Sequence, residues 1–157
     1  MSSDTWAARS SNTFTDDVVD QQIPLRDDKR IDLEVSNSDG PITVRATDRS
    51  DLHVHAVKEG KSGSSQFIDA ALLVDVSSNH VKIEPRFPKF GISRVFGGGV
   101  GYDITVEVPA QIMQSAGARV RASTASGPIE IEDMSGEITI NTASGDVMVM
   151  RVEGEIS

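Results

Sequence analysis

The sequence predicts an all-β chain: a β-helix-like solenoid of nine-residue strand–turn units paired into eighteen-residue coils, with a twisted β-sandwich as the alternative. Three observations carry this. Gly127, Gly136, Gly145 and Gly154 fall nine residues apart, and aliphatics follow two and four residues later at Ile129/Ile131, Ile138/Ile140, Val147/Val149 and Ile156. Alternation at period two marks a strand, and glycine accepts the positive φ of a corner that re-aims the chain. The tetrapeptide TASG at 124–127 recurs at 142–145, and residues 122–139 share seven identities with 140–157, so the register of eighteen outranks that of nine.

Stacking at that register sets Thr124 against Thr142 and Ser126 against Ser144, with the aliphatics forming a continuous interior. Met134, Ala143 and Val152 occupy a third inward slot, five residues after each first aliphatic. A single unit cannot bury its apolar face, so residues 117–157 read as regular coils. The last of these either continues in a longer protein or leaves an open edge that something must cover.

Taken in order, residues 1–13 are small and polar apart from Trp6, and are expected to be a disordered or loosely docked arm ahead of one β-repeat domain over 14–157. FTDDVVDQQIPL at 14–25 predicts a short first strand, with Pro24 suited to a sheet edge. Leu33/Val35, Ile42/Val44 and Leu52/Val54 repeat the alternating theme, and SDGPITV at 38–44 parallels ASGPIEI at 125–131. EGKSGSSQ at 59–66 has the composition of a flexible loop. Leu72/Val74 and Val81/Ile83 flank a turn at SSNH, and Pro85 closes that strand. Residues 86–101 interrupt the pattern as an insertion loop, YDITVEVP at 102–109 resumes it, and AQIMQSAGA at 110–118 is a short irregular or one-turn helical connection.

At 157 residues the chain holds one domain with a real core. A formal charge of −9 leaves no excess of Lys and Arg to displace phosphate counterions, which argues against a nucleic-acid partner and an anionic membrane surface. No apolar run reaches the roughly 18 residues of a membrane span, and the N-terminus lacks the plan of a secretory signal. As written the chain is expected in the cytoplasm, or at the cell surface if a signal or anchor was trimmed. The absence of cysteine excludes disulfides and thiolate metal sites.

Motifs that could carry chemistry have simpler structural readings. His53 and His55 share one side of a strand whose inward positions belong to Leu52, Val54 and Ala56, so the pair faces outward without a visible third ligand. Asp16, Asp17 and Asp20 lack the Asp-x-Asp-x-Asp-Gly loop of a calcium site and fit an acidic edge guard. The glycines of GGGVG at 97–101 precede a strand rather than the Lys-Ser/Thr helix of a phosphate loop. Calcium-binding nonapeptide solenoids require an aspartate in every turn, where this chain runs Pro128, Glu137, Asp146, Glu155. Glu130 and Glu132 form a local carboxylate pair of the kind a β-helix carbohydrate enzyme uses, yet the next coil sets Met148 and Met150 over them. No cofactor, metal site or catalytic residue is expected.

Two features exceed this background. Phe87, Phe90, Phe96 and Tyr102 crowd into sixteen residues with Arg94 and other bases around them, which makes Phe87, Phe90, Arg94 and Phe96 a candidate partner-binding surface. VMVM at 147–150 is apolar on both faces, which makes Met148 and Met150 candidates for self-association.

The segment VVDQQIPL, the strand–turn–strand reading IDLEVSNSDGPITVRATD, the strand closing in VEVPA and the TASG coils together resemble the putative-adhesin family of bacterial β-strand-repeat proteins of unknown function. The resemblance spans residues 14–157 and implies a β-helix-like domain with an adhesive or scaffolding role and no catalytic residues to carry over. The chain departs from the family in its long insertion before Tyr102 and in its early stop. Bactofilins, which stack short β-helical coils into cytoplasmic scaffolds, are the second resemblance.

Overall fold

The computed structural model describes residues 9–60, 68–86 and 100–157. Among these, thirteen strands and one helix follow in the order β1 (Arg9–Phe14), β2 (Val18–Pro24), β3 (Ile31–Asn37), β4 (Ile42–Thr47), β5 (Asp51–Glu59), β6 (Ala71–Ser77), β7 (His80–Arg86), β8 (Gly101–Pro109), α1 (Ala110–Ala116), β9 (Ala118–Ser126), β10 (Ile129–Glu132), β11 (Ser135–Ser144), β12 (Val147–Met150) and β13 (Glu153–Ile156). They form a seven-stranded sheet, β1-β6-β7-β3-β9-β11-β13, and a six-stranded sheet, β12-β10-β4-β8-β5-β2. The chain is therefore all-β, built from two mixed sheets.

Both sheets follow one plan. From β7 to β13 and from β8 to β12 all neighbours are parallel, whereas β1, β6 and β2, β5 add antiparallel strands at the opposite flank. Parallel pairing follows from the repeat, because each unit crosses to the other sheet before the next strand runs alongside its predecessor. Val120 pairs with Ile138 and Ile129 with Val147, both at the expected offset of eighteen. The TASG positions stack as expected, Thr124 on Thr142 and Ser126 on Ser144.

The two similar segments of the chain are direct neighbours in space. Ile42 lies beside Ile129 and Val44 beside Ile131, so SDGPITV and ASGPIEI occupy successive strands of one sheet. The N-terminal strands β3 and β4 sit in the middle of their sheets, between β7 and β9 and between β8 and β10, an order that differs from the order along the chain. Corner glycines make this stacking possible. A Cβ on Gly127, whose φ is +124°, would lie 2.4 Å from the carbonyl oxygen of Gly40, closer than any side-chain carbon can approach.

Inward residues of both sheets form one core that includes Leu33, Val35, Ile42, Val44, Val106 and Ile131. Burying these alternating aliphatics is the main favourable term holding the sheets together. The helix α1 adds Ile112 and Met113, and packs against β3, β4, β8 and β11. Buried polar groups are tied down at the corners. Asn37 donates to the Tyr102 carbonyl and accepts from its amide, while Asn79 donates to the carbonyls of Arg26 and Lys29.

Several expectations change. The arm expected over residues 1–13 is, from Arg9 to Phe14, an edge strand paired antiparallel with β6; residues 1–8 lie outside the described residues. The polar sequence of this strand suits its position because a sheet edge leaves half of the backbone groups to water. Ala143 is exposed rather than inward, whereas Met134 is buried and Val152 packs on the core. Pro85 lies within β7, where pairing with β3 has already stopped at Ile83, so its missing N–H breaks no ladder on that side.

Candidate interaction surface

The outer faces of both sheets carry charges that alternate in sign from strand to strand. On the seven-stranded sheet Asp75 of β6 stands opposite Lys82 of β7, which stands opposite Glu34 of β3, followed by Arg121 of β9. The Arg121 guanidinium lies 3.5 Å from Glu34 and 3.8 Å from Asp32. Arg119 then faces Glu137 of β11. Opposite charges directly across a ladder stabilise strand pairing.

The six-stranded sheet repeats the pattern. Asp20 on β2 bridges both histidines of β5, with Oδ1 at 2.9 Å from His53 Nε2 and Oδ2 at 2.9 Å from His55 Nδ1. His53 Nδ1 meets Glu107 of β8 at 3.1 Å, and Glu107 lies 3.6 Å from Arg45 of β4. Beyond Arg45 come Glu132 of β10 and Met150 of β12. A neutral imidazole has one N–H, so His53 can donate to both carboxylates only as the cation. Burial opposes that charge, but the bonds to Asp20 and Glu107 outweigh it and hold the His53 pKa above the ordinary histidine value. Hydrogen bonds from His55 and then His53 hold the Asp20 carboxyl below its ordinary range.

The histidine pair thus faces outward as expected, but it is engaged: the His53 side chain is 18% exposed. Among the described residues no three His, Asp or Glu side chains are arranged to hold a metal ion. Glu130 and Glu132 do come together, and the hydrogen bond between them raises the Glu130 pKa. Arg151, against Glu132 and Asp133, ties the corner that follows β10 to the one that follows β12.

At one end of the stack the order stops at β12 and β13. Among the described residues no strand pairs with their outer edges. Inward positions there are open to solvent: Val147, in register with the buried Ile129, is 45% exposed, and Ile156, in register with the buried Ile138, is 47% exposed. Met148 is 52% exposed and Met150 is half-buried. The structure therefore places the predicted residues Met148 and Met150 on an edge strand, and it adds Val147 and Ile156, which the sequence pattern assigns to the interior. Phe87, Phe90, Arg94 and Phe96 lie outside the described residues.

Among the described residues no helix is long and apolar enough to cross a membrane. Two mixed sheets, repeat-built corners and alternating outer charges define an all-β strand-repeat protein. The chain belongs to the Toastrack DUF4097 family, whose profile matches residues 29–156. The β-strand-repeat family anticipated from the residues is thereby reached. No curated protein matches the chain. Its fold is also similar to the crystal structure of a putative cell adhesion protein from Clostridium sporogenes, at 8% identity and a TM-score of 0.45, covering 82% of this chain and 57% of that one. The chain thus spans less than two thirds of that protein's chain.

Proposed function

We propose that this protein is a non-enzymatic, adhesin-like interaction module, a β-helix-like solenoid that engages its partner at the open end formed by β12 and β13. The observation that carries this reading is the exposure of Val147 and Ile156, two residues in register with core positions. An uncovered strand edge above an uncovered core column is a template for a further strand. The family match is consistent with this role and names no activity.

A second reading, a self-assembling scaffold resembling the bactofilins, draws on the exposed Met148 of the same edge. Sedimentation velocity over a wide concentration range separates the two. The adhesin-like reading expects a monomer throughout, together with a photo-crosslinker at position 148 that captures a partner and one at position 43 that does not. Growth into open-ended assemblies, abolished by Met148→Glu, would place the scaffold first. Equal capture from both positions would contradict a role for the open end.

A further inference from the structure

We infer that the cleft between β1 and β2, at the flank away from β12 and β13, binds an uncharged molecule about one ring in size that carries a single hydroxyl or amide group. This goes beyond the interaction reading above and does not depend on it. β1 and β2 are the last strands of the two sheets on that flank, and among the described residues no strand bridges them. Between them lies a cavity of about 160 Å³, floored by Phe14, Ile23, Val74 and Val76 and walled by Asn12 and Gln21. The cavity follows from the sequence of β1. Asn12 is paired with Val74 of β6 and Ser10 with Val76. Two short polar side chains thus stand where a core strand would bring aliphatics, and Val76 is left half-buried.

Two observations set the chemistry of an occupant. The first is Gln21. Along the inward face of β2 the residues read Val19, Gln21, Ile23, a carboxamide between two buried aliphatics and beside the fully buried Val54. Asn12 brings a second carboxamide from the opposite wall. Neither carboxamide has a hydrogen-bond partner among the described residues. An occupant without polar groups would take away the water that serves them, whereas a hydroxyl or amide replaces those bonds. The second observation is charge. None of the nine residues that line the cavity is ionisable, in a chain of which 25% is charged. An ion placed there would give up its hydration with no counter-charge to face. Volume sets the upper limit, since an apolar cavity of roughly 150 Å³ accepts one benzene ring. A partner's strand would need a continuous groove rather than a cavity of this size.

Two-dimensional NMR of the full chain with labelled methyl groups tests this, with phenol as the probe and benzoate as its anionic counterpart. Phenol is expected to shift the methyl signals of Ile23, Val74 and Val76 saturably, to bind at least about tenfold more tightly than benzoate, and to be insensitive to salt. Val76→Phe fills the cavity and is expected to abolish the shifts, while Gln21→Leu is expected to weaken phenol at least about threefold. Circular dichroism of both variants establishes that their sheets are intact. Unchanged affinity for phenol in either variant, equal binding of benzoate, or no saturable shift up to about 10 mM phenol overturns the proposal. If phenol fails and a peptide of alternating valine and serine shifts the same methyl signals, the cleft takes a partner's strand and the small-ligand assignment is overturned.

Discussion

At the scale of single residues, the corners decide what the stack tolerates. Gly127 combines a φ of +124° with a backbone carbonyl 2.4 Å from where a Cβ would stand, so Gly127→Ala must move the Gly40 corner. We expect a loss of about 2–4 kcal/mol in urea denaturation. Gly117 has a φ of +93° but meets only the Arg30 side chain, at 3.6 Å, so Gly117→Ala is expected to cost about 1 kcal/mol. The glycine spacing was readable in the sequence; which glycines face a neighbouring carbonyl was not, since that depends on which strands stack. The Asp20–His53 pair has a pH signature. Its histidine part is fully present below the ordinary histidine pKa of about 6.5 and is lost as pH rises through the raised value, while its aspartate part is present above about 3.9 and is lost as pH falls through the lowered one. Asp20→Asn should therefore destabilise by less than about 1 kcal/mol, most near pH 5 and least above pH 8, as read by urea denaturation at both.

At the scale of the strand, position in the stack outweighs residue type. Ile138 and Ile156 are the same side chain in register on adjacent strands, yet one is 1% and the other 47% exposed. Ile138→Ala is expected to cost about 2–5 kcal/mol and Ile156→Ala less than about 1 kcal/mol. Equal costs would mean that something covers the end strand. Period-two alternation located nearly all of these strands, because it reports which face of a strand is buried. It could not show that β5 and β6 run antiparallel to their neighbours, since a repeat spacing of nine or ten is compatible with either direction. Nor could it show β1, whose residues RSSNTF carry no apolar alternation and bring only Phe14 onto the core. The charge order across the strands was hidden for the same reason: Glu34 and Arg121 meet only because β3 lies beside β9.

At the scale of the molecule, the two ends of the stack differ. One flank ends in the antiparallel strands β1, beside β6, and β2, beside β5; these are sheet edges too, but the inward Val19 and Ile23 of β2 are buried, and the Asp20 bridge ties β2 to β5. The other flank leaves β12 and β13, among the described residues, with unpaired edges and open core positions. This difference in core exposure is the observation behind the proposal that binding takes place at one end. Met148 and Met150 pointed to that end in the sequence because outward methionines on a strand are unusual; Val147 and Ile156 did not, because an inward aliphatic reads as buried wherever the strand lies. The most direct measurement is native-state amide exchange of the free chain, comparing hydrogen-bonded amides along the stack. The Ile42 amide bonds to Pro128 in the middle, and the Glu153 and Ser157 amides bond to Met134 and Ile138 at the end. An open end predicts that Glu153 and Ser157 exchange at least about a hundredfold faster than Ile42 and do so independently of protein concentration. Exchange at Glu153 and Ser157 as slow as at Ile42 would contradict it.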